Sequence, residues 1–180
     1  ASLEELPELQ ENRVRLISTG NVGRLPKQAR KALMSAISRT AGNTGLTLNL
    51  ALNYDGRSDI LHAVQQVATE VERGTLRSDE IDHDLFSRAL YTEDLPDPDL
   101  LIRTSGEVRL SNFMLWQCAY SELWFTPVFW PDFRREHLYE AVRSYQLRER
   151  RFGQTSAQIR SDQAGGGGNG VLEKIGLSTA

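Results

Sequence analysis

A chain with one cysteine, Cys118, cannot close a disulfide within itself, and it lacks the thiolates a cysteine-based metal cluster needs. A reducing compartment fits that scarcity best. Unopposed positive charge is also missing. The formal net charge is −3, from 21 Lys and Arg against 24 Asp and Glu, so the chain is not a general polyanion binder, and any phosphate site must be local. No run of about 18 apolar residues occurs, and the first twenty residues show neither a basic start nor an apolar signal core. The chain is therefore expected to be soluble. It begins at Ala1 without an initiator methionine and enters a partly acidic, helix-like segment directly, which suggests a fragment.

What is present has ordinary globular proportions, with 39% hydrophobic and 25% charged residues in 180, enough for one core. Residues Val14 to Thr19 read as a strand closed by Gly20. Leu25, Ala29, Ala32, Leu33, Ala36 and Ile37 then recur at helical spacing up to Gly42-Asn43. The pattern repeats with a strand over Thr44–Leu52 and a helical stripe of Ile60, Leu61, Val64, Val67, Ala68 and Val71 that stops at Gly74. Ser78 is positioned to cap a third helix, with Asp79 and Glu80 in its first turn. Asp99–Arg103 reads as a short strand after a Pro-rich turn, and Phe133, Leu138, Ala141, Val142 and Tyr145 mark a last amphipathic helix. Such alternation predicts an α/β fold with a mostly parallel sheet flanked by helices, in which ligands sit beyond the carboxyl ends of the strands. Arg103 stands at such an end. From Gln154 onward, Gly165–Gly168 and scattered polar residues leave too few apolar groups to offset the entropy of ordering, so 154–180 is expected to be a disordered tail. A short docked helix over Val171–Leu177 is the alternative.

The stretch IRTSGEVRLSN, Ile102 to Asn112, carries the clearest chemistry. Arg103 and Arg109 flank a turn-forming Ser105-Gly106 and are followed by Leu110 and Ser111. Each guanidinium offers a planar fork of donors suited to phosphate oxygens, glycine permits close approach of backbone amides, and the hydroxyl adds a donor. A diphosphate clamp is one reading. Surface pairing of the arginines with Glu107 or neighbouring carboxylates is the other. Glu122 is the one carboxylate within the apolar run Phe113–Phe125, where it either pairs with an arginine or serves Mg²⁺, an ion that accepts sparse protein oxygen ligands alongside waters and substrate phosphates.

Taken in order, IRTSGEVRLSNF, WQCAYSELWF, the WPDF of Trp130–Phe133 and the RRFG of Arg150–Gly153 resemble the C-terminal signature of the cis-prenyltransferase (undecaprenyl diphosphate synthase) family. Upstream, the AGNTGLTLN of Ala41–Asn49 and the NYDGR of Asn53–Arg57 match as well. The resemblance runs from Leu6 to Gly153. It implies the family fold lacking its N-terminal part, over residues 1–153, and condensation of isopentenyl diphosphate with an allylic diphosphate such as farnesyl diphosphate to give a Z-polyprenyl diphosphate. By this resemblance Arg103, Arg109, Leu110 and Ser111 would hold the diphosphate of isopentenyl diphosphate, and Glu122 would help hold Mg²⁺. Arg151 and Gly153 would close the site of a homodimeric partner, and Leu46 would lie at the floor of a hydrophobic tunnel. A leucine on a strand within the core is the plainer reading of Leu46.

Two departures stand out. Val108 occupies a position where some members have a histidine able to approach the metal, and Asp55 replaces a glycine common in the Asn-Tyr-Gly-Gly-Arg element. The aspartate of the Asp-Gly-Asn-Gly-Arg-Trp motif, expected upstream of Ala1, is absent, so no catalytic residue is assigned here and the chain alone is expected to be inactive. The resemblance places the protein in the cytoplasm, peripheral to the membrane that receives a hydrophobic product. A non-catalytic accessory subunit of the same fold and a phosphate-binding regulatory module are the competing readings. A parallel sheet lacking strands is expected to expose edges and to aggregate or dimerise.

Overall fold

The computed structural model describes residues 6–148. The expectations for the tail, for Arg151 and for Gly153 lie outside them. Among the described residues, nine α-helices and β-strands follow one another: α1 (Leu6–Glu11), β1 (Arg15–Thr19), α2 (Lys27–Thr40), β2 (Thr47–Ala51), α3 (Gly56–Glu72), α4 (His83–Arg88), β3 (Leu100–Arg103), β4 (Glu122–Phe125) and α5 (Arg135–Gln146). The chain divides into two units, one ending at Phe129 and the other beginning at Trp130.

The expected α/β alternation is present, and every strand pairing is parallel. Among the described residues, however, the strands form two separate pairs, β1 with β2 and β3 with β4. Each pair leaves backbone edges without a strand partner. The first crossover is built as the hydrophobic periodicity requires, and polar residues seal its corners. The hydroxyl of Thr40, fully buried at the end of α2, donates to the Ala36 carbonyl at 2.9 Å and accepts the Leu16 N–H of β1 at 3.1 Å. Asn43, read as part of the helix stop, donates its side-chain amide to the Val14 carbonyl at 2.9 Å. Leu16 lies in the core at 1% exposure. Gly20 adopts φ +103°, and a Cβ there would stand 2.5 Å from the Leu52 carbonyl oxygen, so the end of β1 can approach the chain after β2 only as glycine.

Three expectations about this unit are corrected. Strand β2 starts at Thr47, which leaves Leu46 before it with its side chain 70% exposed; Leu46 is not a packed core leucine. Its carbonyl still accepts the Arg15 N–H. The third helix starts after Asp82, whose carboxylate accepts the Leu85 N–H at 2.8 Å, and Ser78–Glu80 is only a single 3-10 turn. An Asp in extended conformation supplies that cap better than a serine four residues earlier, because its oxygen meets an N–H of the first turn. Finally, the buried row of α3 is Gly56, Asp59, Ala63 and Val67, whereas Leu61 and Val64 from the expected stripe are about half exposed. An aspartate in the middle of the inward face shifts the row relative to a purely apolar count.

In the second unit, the imidazole of His137 accepts the Arg134 N–H at 2.9 Å at the start of α5, Ala141 is fully buried, and the Trp130 and Phe133 rings stack 5.9 Å apart.

Candidate functional site

The link from β3 to β4 contains no helix. Residues 104–121 instead form a series of turns held at both ends. At the near end, the Ser105 N–H donates to the Val128 carbonyl at 2.8 Å and the Gly106 N–H to the Thr126 carbonyl at 2.9 Å, while the Thr126 N–H donates to the Arg103 carbonyl. At the far end the segment is pinned to α3 and α4. Gln117, 4% exposed, donates to the Asp59 carboxylate and to the Thr92 hydroxyl, at 3.1 and 2.9 Å. The Trp116 indole donates to the Ser87 hydroxyl at 3.0 Å, and its ring packs on Phe86. Phe113 meets Tyr54 edge to face, with centroids 5.7 Å apart.

Five residues of this link have positive φ: Ser105, Gly106, Ser111, Asn112 and Met114. A side chain other than glycine in the left-handed region costs roughly 1 kcal/mol or more, so such a run persists only where its surroundings enforce it. The enforcement comes from the N-terminus of α3. The Asn112 carbonyl accepts the Gly56 N–H at 2.6 Å, its side-chain oxygen accepts the Arg57 N–H at 2.9 Å, and the Asp55 carboxylate accepts the Ser58 N–H at 2.8 Å and the Asn112 amide at 3.0 Å. A helix start normally leaves its first N–H groups without partners. Here they are engaged by Asn112 and Asp55, so these donors face protein acceptors rather than a ligand.

The glycine-to-aspartate departure at Asp55 thereby finds its explanation. Its backbone is extended, φ −146°, and demands no glycine. The hydrogen bonds from Ser58 hold its carboxyl below the usual carboxylate range. The adjacent Gly56 is the residue that must be small, since a Cβ there would approach Leu115 Cγ to 2.8 Å.

Of the candidate binding residues, Arg103 and Ser111 are brought together across the link, with Arg103 Nη2 3.5 Å from Ser111 Oγ. Leu110 is half-buried at the turn, its carbonyl accepting the Phe113 N–H. Arg109 is largely exposed and its Nη1 pairs with a Glu107 carboxylate oxygen, as the surface-pairing alternative anticipates for that residue. Val108 is 72% exposed.

Glu122 is not placed beside Arg103. It opens β4 opposite Leu100, three residues along the ladder from Arg103, about 10 Å at the usual strand rise. Side chains alternate along a strand, so the register also puts Glu122 on the face of Leu100 and Ile102 rather than that of Arg103. Among the described residues no group of three His, Cys, Asp or Glu is arranged to hold a metal ion. Magnesium takes as few as one or two protein carboxylates, with waters and substrate phosphates completing its shell, so Glu122 is still the candidate ligand among the described residues.

Asn112, Asp59 and Gln117 were not singled out from the sequence, and Asp55 was noted only as a departure from a common glycine. Local signals existed for Asp55, an N-cap residue three before Ser58, but nothing local pairs positions 55 and 112.

A family model for undecaprenyl diphosphate synthases matches residues 1–153. The isoprenyl transferase of Halalkalibacterium halodurans is 58% identical over 149 residues, which cover 83% of this chain and 58% of that protein. That of Geobacillus kaustophilus is 55% identical over 153 residues, 85% of this chain and 60% of that protein. The chain thus spans about three fifths of the length of these curated relatives. Among solved structures, a lavandulyl diphosphate synthase from Lavandula x intermedia in complex with dimethylallyl diphosphate superposes with a TM-score of 0.81 at 40% identity, covering 83% of this chain and 65% of that one. A "probable undecaprenyl diphosphate synthase" from Campylobacter jejuni superposes with a TM-score of 0.71 at 31% identity, covering 84% and 68%.

Proposed function

The chain belongs to the undecaprenyl diphosphate synthase family of prenyltransferases, and from that premise we propose that it carries the isopentenyl diphosphate half of a site that joins isopentenyl diphosphate to an allylic diphosphate such as farnesyl diphosphate. The product is a Z-polyprenyl diphosphate. The observation that carries this reading is the meeting of Arg103 and Ser111 at the carboxyl end of β3, within a link whose strained backbone is tied down on both sides.

The Arg103 fork and the Ser111 hydroxyl hold the diphosphate handle, and Arg109 exchanges Glu107 for phosphate oxygens as the ligand arrives. An exposed ion pair of that kind is worth about 1 kcal/mol or less, so the exchange costs little. Once the handle is fixed, the alkene of isopentenyl diphosphate is held toward the allylic carbon, its π electrons form the new C–C bond as the allylic C–O bond breaks and diphosphate leaves, and a proton is then lost to set the double bond. The contribution of this chain is positioning and charge compensation. Magnesium would supply further neutralisation of phosphate charge, with Glu122 helping to hold it. Leu46, exposed before β2, is offered as a tunnel residue. Arg151 and Gly153 are offered as contributions to the site of a second copy in a homodimer. We place the protein in the cytoplasm, peripheral to the membrane that takes up its product; no described helix is long and apolar enough to cross one.

The test is calorimetric titration of isopentenyl diphosphate into the full-length protein, its Arg103→Ala variant and its Glu107→Gln variant. The reading expects Arg103→Ala to weaken binding by more than about tenfold, the scale of a lost charge-assisted hydrogen bond. Glu107→Gln should move it by less than about fivefold, as befits an exposed pair. Unchanged binding by Arg103→Ala overturns the assignment.

A further inference from the structure

The clamp depends on Ser111 and Arg103 meeting, yet neither residue holds the other firmly: their contact is a single 3.5 Å approach between groups on an exposed link. Ser111 sits at φ 51° and its neighbour Asn112 at φ 64°, conformations the link would leave if nothing opposed it. What opposes it is one residue away. Asn112 engages α3 through its carbonyl oxygen, its side-chain oxygen and its side-chain amide, to Gly56, Arg57 and Asp55 respectively. Asp55 in turn is locked as the helix cap by Ser58. The Asp55 oxygen that caps the helix is the same Oδ1 that receives the Asn112 amide, so helix cap and link share one acceptor.

We propose that Asp55 and Asn112 are positioning residues that hold Ser111 in the place from which its hydroxyl joins Arg103 on the diphosphate. The inference rests on the reading of the 103–111 link as the isopentenyl diphosphate clamp. Neither residue touches the ligand in this scheme. An aspartate facing a diphosphate would repel it; the Asp55 Oδ1 is turned instead to the Ser58 N–H and the Asn112 amide. A glycine at this position offers no such acceptor, so this chain ties its link to α3 through a side chain that a glycine would lack.

The experiment compares isopentenyl diphosphate binding and steady-state condensation for the full-length protein and its variants. Asp55→Ala and Asn112→Ala should each raise the Kd and the KM for isopentenyl diphosphate about tenfold, the scale of one lost hydrogen bond to a charged group, with kcat changed less than about twofold. Asp55→Asn keeps an oxygen acceptor and should stay within about threefold of the parent. Asn112→Asp sets two carboxylates against each other and should weaken binding at least as much as Asn112→Ala; the double variant Asp55→Asn/Asn112→Asp removes that like-charge repulsion and should recover this part of the loss, although one shared atom cannot both accept from Ser58 and donate to position 112. That recovery separates a specific pairing from general loss of fold, and it decides the matter should either alanine variant fail to fold. The inference is overturned if the alanine variants bind like the parent while Arg103→Ala does not, if Asp55→Asn is as damaging as Asp55→Ala, or if the double variant shows no recovery. Failure of the parent itself to bind isopentenyl diphosphate overturns the clamp reading instead.

Discussion

The side-chain amide of Gln117 donates to the carboxylate of Asp59 across 3.1 Å, joining α3 to the link that follows β3 at a point where neither residue is more than 4% exposed. Asp59 also accepts the Tyr54 hydroxyl at 2.9 Å and the Tyr91 N–H at 2.8 Å. A buried carboxylate without a cation partner is tolerable when several donors surround it, and here three elements of the chain converge on one side chain.

Asp59→Ala should accordingly be among the most damaging single changes in the chain. It leaves a buried amide, a tyrosine hydroxyl and a backbone N–H without their acceptor, at about 1–3 kcal/mol for each group left unsatisfied. Urea unfolding of the full-length protein should show a loss of at least about 3 kcal/mol, with Asp59→Asn less severe because its oxygen still accepts. A loss below about 1 kcal/mol would mean that water replaces the carboxylate and that the network is not buried in solution.

The same network makes a prediction about alkaline pH. Burial, and then the adjacent Asp59, push the Tyr54 phenol above its ordinary value near 10. A group whose folded pKa is raised contributes stability that is complete below the unfolded value and is lost as pH rises beyond it. Stability should therefore begin to fall from about pH 10 upward, and Tyr54→Phe, though less stable at neutral pH through the lost hydrogen bond, should show a shallower decline. Parallel declines for the two proteins in urea titrations between pH 9 and 11 would contradict this.

Gly20 and Gly56 should respond to alanine in a definite order. At Gly20 the added Cβ meets a backbone oxygen at 2.5 Å and the residue must also hold φ +103°, so both terms are unfavourable. At Gly56 the nearest atom is the branch carbon of a leucine side chain, Leu115 Cγ at 2.8 Å, which can shift in part with its side chain, with the Asn112 oxygen and the Leu115 nitrogen next at 3.1 Å. Gly20→Ala should cost about 3 kcal/mol or more and Gly56→Ala about 1–3 kcal/mol. Only Gly56→Ala should weaken isopentenyl diphosphate binding beyond its effect on stability, because it pushes on the link at Asn112. The reverse order of stabilities in thermal unfolding would contradict the packing account.

The elements legible from local pattern were those with strong periodicity and clear stops: β1, α2, β2, α3 and α5 fall within a few residues of expectation. Strand β4 was not read as a strand, because Glu122–Phe125 sits in a long apolar run without alternation and is recognisable only by its partner β3. Ser78 was taken for a cap since it precedes two acids, while the cap that forms is Asp82. Arg103, Arg109 and Ser111 were legible as one phosphate-suited group; that Arg103 meets Ser111 while Arg109 turns to Glu107 was not. Glu122 could not be placed without the register, which alone decides its rung and its face.

Residue order by itself determined the α/β alternation, the strand-end location of Arg103 and the concentration of phosphate-suited groups in residues 103–111, because propensity, periodicity and turn chemistry act over a few neighbours. Only the tertiary structure decided that Arg109 is matched with Glu107, that Glu122 stands away from Arg103, and that Asn112 and Asp55, 57 residues apart, share a hydrogen bond that fixes Ser111. Those outcomes depend on which backbone donors the helix start leaves open and on which side chains the folded chain brings within about 3 Å of them, a geometry that no local stretch of sequence contains.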